Sequence, residues 1–391
     1  MSQQATQKLF NPEKLFITDK LAYRYFKKLV SQEGRRIDSY HVMNDYERQA
    51  IRRVYYFTLF MAAVWGTLGV LALYLPQYWF PEWFNNFPIV ISWISSEPLA
   101  TWESLIYGVV LVIIEIALLT IYNLKAVQKI AYYCGFPILY DPNYEAHVQD
   151  LFRLGMEQTI KDQLLYGINP LEGLPPAQIF LYNLINRIKA TLSGIVAKII
   201  LRRFLGRYAL RAYLDMSGIP IFAFWNAWAA HLVIHETKLR IMATSMIPLF
   251  VRKLEQQIKD KQAFASLLAD VLQFIAVVKR NFHHNHSLLV KHITETLNIP
   301  VKREKPLNAE ELLAKARTFD TNTQQAIIKL IVFGMIIDGK LSKRDIDVLK
   351  KLQALNLLLY DIKDIQQWVK DFKEGKGLDT FLAIDLPSTV S

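Results

Sequence analysis

From Val54 to Leu124 the chain runs for 71 residues without a lysine or an arginine. All 46 basic residues lie in the other 320 positions, a density at which about ten would fall in such a window by proportion. Two apolar runs, 54–75 and 99–124, fill the window, and each is long enough to cross a bilayer as an α-helix. Arg48, Arg52 and Arg53 stand just before it, and Lys125 and Lys129 just after. Because basic residues are retained on the cytoplasmic side, the pattern predicts a two-helix transmembrane hairpin with both termini in the cytoplasm.

The hairpin divides the chain. Residues 1–53 read as a cytoplasmic N-terminal segment, with a short helix and then a break at Gly34. Residues 125–300 read as a helical membrane-proximal domain, and 301–391 as a small helical module. The net charge of +11 splits as +5, −4 and +10 before, within and after the hairpin. A cationic body beside an anionic leaflet accounts for that balance, so membrane lipid is the expected partner and nucleic acid is not. Cys134 is the only cysteine, which leaves no intramolecular disulfide and no thiolate metal cage.

Inside the hairpin, Ala62, Gly66 and Gly69 form a notch against which another helix can approach closely. Glu115 lies about 5 Å from the middle of the second run at ~1.5 Å per residue. An ionised carboxylate there is costly, so Glu115 is expected to bond to Thr67, to Trp65 or to a second copy of the hairpin. The connector 76–98 carries Tyr78, Trp79, Trp83 and Trp93 and suits the headgroup level of the far face.

Beyond the hairpin, 177–214 holds seven basic residues and no acidic one. Its charges spread around a helical wheel, which favours two helices hinged near Gly206 that touch lipid phosphates through Arg202, Arg203, Arg207 and Arg211. The apolar run 217–234 follows, with Trp225 and Asn226 as further lipid or partner contacts. A crossing there would put Lys238, Arg240, Arg252 and Lys253 outside, against the charge rule, so a buried or interfacial helix is expected.

Candidate chemistry is sparse. His231 and His235 have the i, i+4 spacing of two metal ligands, but Lys238 shares their face and Glu236 points away. Interfacial histidines and an exposed turn at 281–286 are the simpler reading. There is no phosphate loop, dinucleotide fingerprint or nucleophile elbow. Near the C-terminus an apolar helix ends at Asp338-Gly339, and Ser342 and Asp345 have capping-box spacing, with Leu341 and Ile346 placed as a staple. A calcium loop would place Gly334 and Ile336 at its first and third positions, where neither supplies a side-chain oxygen.

The run Ile337-Asp338-Gly339-Lys340-Leu341-Ser342, with Asp345, Leu349 and a helix end at 369–377, resembles the TerB-like helical domain of bacterial tellurite-resistance and stress-response systems. The resemblance covers about the last 75 residues. It implies a membrane-associated sensing or scaffolding role and an acidic, metal-linked cluster, for which Asp338 and Asp345 are the matching residues. The segments 218–227 and 236–242 also resemble a family of bacterial hairpin-anchored membrane proteins that carry a TerB-like tail, across 130–380, with no reaction attached.

The sequence therefore favours a non-enzymatic scaffold, adaptor or stress-response component of a bacterial inner membrane, binding a protein partner or anionic lipid. No cofactor is predicted, with a divalent metal as the variant reading. A histidine-dependent metalloenzyme and an oligomeric channel or transporter using Glu115 are the rival functions.

Overall fold

The computed structural model describes residues 17–31, 42–84, 86–89, 100–137, 143–156, 168, 175, 178, 218–258, 261–280, 283–298, 309–358 and 360–383. The described chain is helical, apart from a short 3-10 turn at Pro81–Phe84 and a two-residue antiparallel pairing of Pro88–Ile89 with Ala100–Thr101. The helices are α1 (Ile17–Ser31), α2 (Asp45–Trp79), α3 (Trp102–Tyr133), α4 (Tyr144–Gly155), α5 (Gly218–Gln257) and α6 (Lys261–Lys279). They continue with α7 (His284–Leu297), α8 (Ala309–Ala316), α9 (Thr321–Ile336), α10 (Lys343–Ala354), α11 (Ile362–Glu374) and α12 (Asp379–Ala383).

Helices α2 and α3 are the two expected from the basic-free window, and both are long and apolar enough to cross a membrane by length and composition. Each outruns its apolar segment. Helix α2 begins at Asp45 because Asn44 accepts from the Glu47 N–H while the Glu47 carboxylate accepts from the Asn44 N–H, a reciprocal cap that satisfies two otherwise orphan donors. It ends at Trp79, where the Phe80 N–H still reaches the Pro76 carbonyl. The pair runs antiparallel: the Tyr107 hydroxyl donates to the Ala72 carbonyl at 2.7 Å, and lower down Tyr122 meets both Trp65 and Phe57.

Helix α5 is the unexpected element. The run 217–234 was expected to be a buried or interfacial helix; its described part, 218–234, is the beginning of one unbroken 40-residue helix packed along α2 and α3. The outward side of that part is exposed and apolar, with Ile221, Phe224, Trp225, Trp228 and Leu232 more than a third accessible. From Val233 onward the burial reverses: Leu239, Ile241, Met242, Met246, Phe250 and Leu254 are all sealed. One helix thus changes environment along its length, from a three-helix stalk to the centre of a helical body.

The body packs around the second half of α5. Phe250 of α5, Phe333 of α9 and Phe381 of α12 form a ladder of nearly parallel rings, the first pair with centroids 3.9 Å apart. Trp368 and Tyr360 close it from the side. The segment before α2 is tied to the same body, because the Met43 N–H donates to the carbonyl of Gly375, the residue that ends α11. Gly375 has φ +76°, and a side chain there would overlap Met43, so only glycine suits both the left-handed cap and the contact.

Candidate functional site

Three polar constellations stand out from this apolar architecture. The first lies within the stalk. Asn226 of α5 donates to Glu115 of α3 at 2.7 Å, and both side chains are buried, at 3% and 9% exposure. The approach is allowed by α2: a Cβ on Gly66 would stand 2.8 Å from the Phe222 carbonyl oxygen and the Asn226 amide, and one on Gly69 would press on the Glu115 carboxylate. The small-residue notch is therefore filled by α5, with Glu115 bonded between helices. The expectation that Trp65 would serve Glu115 is corrected, since its buried indole N–H has no hydrogen-bond partner among the described residues. Asn226 is likewise no surface contact. Its neighbour Trp225, 58% exposed, does face outward.

The second constellation joins the residues expected as an acidic, metal-linked cluster. Asp338 and Asp345 do converge, and the group between them is the ammonium of Lys279, from the last turn of α6. Lys279 Nζ lies 2.7 Å from Asp338 Oδ1, 3.1 Å from Asp345 Oδ2, 2.8 Å from the Met335 carbonyl and 2.6 Å from the Lys340 carbonyl. Its side chain is 3% exposed. Four oxygens around one cation resemble a hard-metal donor set, but here the cation belongs to the chain. The capping box at Ser342 forms as expected, with the Ser342 N–H donating to Asp345 Oδ2 at 2.8 Å and the Asp345 N–H donating to Ser342 Oγ. Asp345 thus caps α10 and binds Lys279 through the same oxygen.

The third constellation is the histidine-rich start of α7, expected as an exposed turn and found largely buried. His283 Nε2 meets Glu236 of α5 at 3.0 Å, and His284 Nε2 meets Asp150 of α4 at 3.1 Å. Asn285 donates to the carbonyls of Leu239 and Ile337, bridging α5 and the end of α9. His286 Nδ1 accepts from the His283 N–H while its Nε2 reaches the Gly334 carbonyl at 2.7 Å. Those partners require the neutral ring with its proton on Nε2. Burial opposes ionisation of Glu236, but His283 and Arg240 together outweigh it and hold the carboxyl well below the usual carboxylate range.

His231 and His235 stack with centroids 5.9 Å apart, and the Tyr55 hydroxyl takes His231 Nδ1 at 3.1 Å. Among the described residues no group of three or more histidine, cysteine, aspartate or glutamate side chains is placed to hold a metal ion. Arg202, Arg203, Arg207 and Arg211 lie outside the described residues. Comparison of the chain with family models, with curated proteins and with solved structures finds no match. Sequence reasoning missed Lys279 altogether; its only local signal is a lysine ending an otherwise apolar helix.

Replacing Lys279 with Met leaves two buried carboxylates without their cation, at an expected cost of about 3–5 kcal/mol in unfolding free energy; adding Asp345→Asn recovers part of it. A loss below about 1 kcal/mol in denaturant melts of the solubilised chain would contradict that role. Burial also lowers the pKa of His286 from 6.5 to about 3. The folded value lies below the unfolded one, so the unfolded chain takes up the proton first and stability falls as the pH drops below 6.5, by about 1.4 kcal/mol per unit. Melting curves between pH 7 and pH 5 should show at least this slope, and His286→Gln should reduce it, leaving the share of His235, whose pKa burial lowers to about 4.

Proposed function

We propose that the chain is a membrane-anchored scaffold or adaptor of a bacterial inner membrane, with α2, α3 and the first half of α5 in the bilayer and the helical body on the cytoplasmic side. The observation that carries this reading is the change of environment along α5. A helix with exposed tryptophan, phenylalanine and isoleucine over its first half and a sealed core over its second suits a rod that leaves lipid and enters a folded domain. Exposed large apolar side chains of α2 and α3, among them Phe60, Ile106 and Ile113, extend the same lipid-facing surface. The hydrogen bond between Glu115 and Asn226 fits that setting, because a polar group at bilayer depth needs an internal partner.

In this reading the body holds partners and α5 fixes its position at the membrane. The TerB-like resemblance of 301–391 adds a stress-response assignment to the same proposal. Its loop is ordered by Lys279, which favours a scaffolding role for Asp338 and Asp345. Arg48, Arg52, Arg53, Lys125 and Lys129, all at the end of the stalk nearest the body, support the cytoplasmic side for the body.

The test is directional labelling. Cys134 is buried and its thiol is pushed up by burial, so it is a poor nucleophile, and Cys134→Ala gives a clean background. In intact cells an impermeant maleimide should modify Trp83→Cys and spare Lys351→Cys, which should react only after lysis. Modification of Lys351→Cys in intact cells would overturn the orientation.

A further inference from the structure

The base of the stalk contains a groove that neither the buried polar pairs nor the body explains. It encloses about 510 Å³ between the first turns of α2 and the last turns of α3. Arg53, Lys125 and Lys129 line it, all three exposed, and none makes an ion pair with a described residue. Among the described residues no acidic side chain contributes to the wall. Three cations thus line one groove with no counter-charge among the described residues of its wall, a lining that suits an anion.

The rest of the lining describes the ligand further. Ala50, Val54 and Ala126 form a buried apolar floor, and Thr58, the polar residue beneath them, already donates its hydroxyl to the Val54 carbonyl. Tyr46 and Tyr133 stand near the body, whereas Phe57 and Tyr122 stand toward the apolar stalk. Lys125 Nζ lies 6.0 Å above the Tyr122 ring, which positions the ammonium at the aromatic rim. The groove therefore passes from cationic to apolar in the direction in which the basic-free window begins. A small inorganic anion would use only the first part of that gradient. A headgroup phosphate continuing into acyl chains uses all of it.

We infer that this groove is a binding site for one anionic glycerophospholipid, its phosphate held by Arg53, Lys125 and Lys129 and its upper acyl chain laid on Val54 and Phe57. The inference rests on the membrane reading above, since the groove meets a leaflet only if α2 and α3 enter one. Basic pockets between membrane helices on the cytoplasmic side are physically suited to such headgroups. The site differs from the arginine-rich stretch at 202–211 that the sequence offered for lipid contact, and it involves helices that pack directly on one another.

The experiment uses the full chain in nanodiscs of phosphatidylcholine with a minor fraction of phosphatidylglycerol, followed by detergent exchange and native mass spectrometry of retained lipid. The unmodified chain should keep phosphatidylglycerol. The Arg53→Gln, Lys125→Gln, Lys129→Gln variant should lose it by on the order of 100-fold, about fivefold for each cation removed. A charge-matched variant on the body, Lys350→Gln, Lys351→Gln, Lys363→Gln, should bind as before, and inorganic phosphate should not displace the lipid. An unchanged melting temperature of the groove variant shows that a loss is local. Undiminished retention by the groove variant, or displacement by inorganic phosphate, overturns the lipid site while leaving the membrane reading intact. Extraction of the unmodified chain from native membranes by alkaline carbonate overturns the membrane reading, and the site with it.

Discussion

A carboxyl group placed in the middle of an apolar helix must find a hydrogen-bond partner, and much of this structure follows from how Glu115 finds one. Asn226 supplies it from 111 residues further along the chain. To reach it, α5 has to lie within the notch at Gly66, where any side chain would collide with the Phe222 carbonyl. That contact fixes α5 against α2 and α3 in register as well as in distance. Because α5 is unbroken, the same contact sets where Phe250 and the helices stacked on it stand relative to the stalk.

The body answers a related problem with an internal cation. The loop after α9 gathers carbonyl and carboxylate oxygens of the kind that usually surround a bound metal, and Lys279 brings its ammonium into the centre. A buried lysine of this sort is costly to desolvate, and the cost is offset only because all its donors meet oxygen. The result ties α6 to the start of α10 through a residue already committed as a helix cap. The α7 histidines do comparable work on the other side, linking α4, α5 and α9 through ring nitrogens and one amide. Helix α5 is thus held in the stalk by polar contacts of Asn226 with Glu115 and of His231 with Tyr55, and in the body by a network.

What was legible in the sequence was local. The two long apolar helices follow from composition over a window, and the α10 cap follows from Ser342 and Asp345 three residues apart. The small-residue notch could be seen, though not what filled it. Pairings across long sequence separations were not legible: Lys279 with Asp338 and Asp345, His283 with Glu236, and Asn226 with Glu115 have no shared local pattern. The histidine-rich start of α7 is buried against its local polarity for the same reason, since polarity predicts exposure until each polar atom is given a distant partner. For the first half of α5 the sequence offers only the charges that flank it. Flanking charge reports the cost of moving a loop across a membrane, while packing against α2 and α3 reports the gain from a matching groove, and only the former can be read from sequence.

The central claim is that the outward face of α5 between Gly218 and Leu232 meets lipid. Its most direct test is a nitroxide at Trp225 in the reconstituted full chain, with relaxation measured against molecular oxygen and against a water-soluble nickel chelate. The result expected is strong relaxation by oxygen and protection from the chelate, matching a label at Ile113 on α3. Relaxation by the chelate as strong as at Lys351 on the body would place that face in water and contradict the claim.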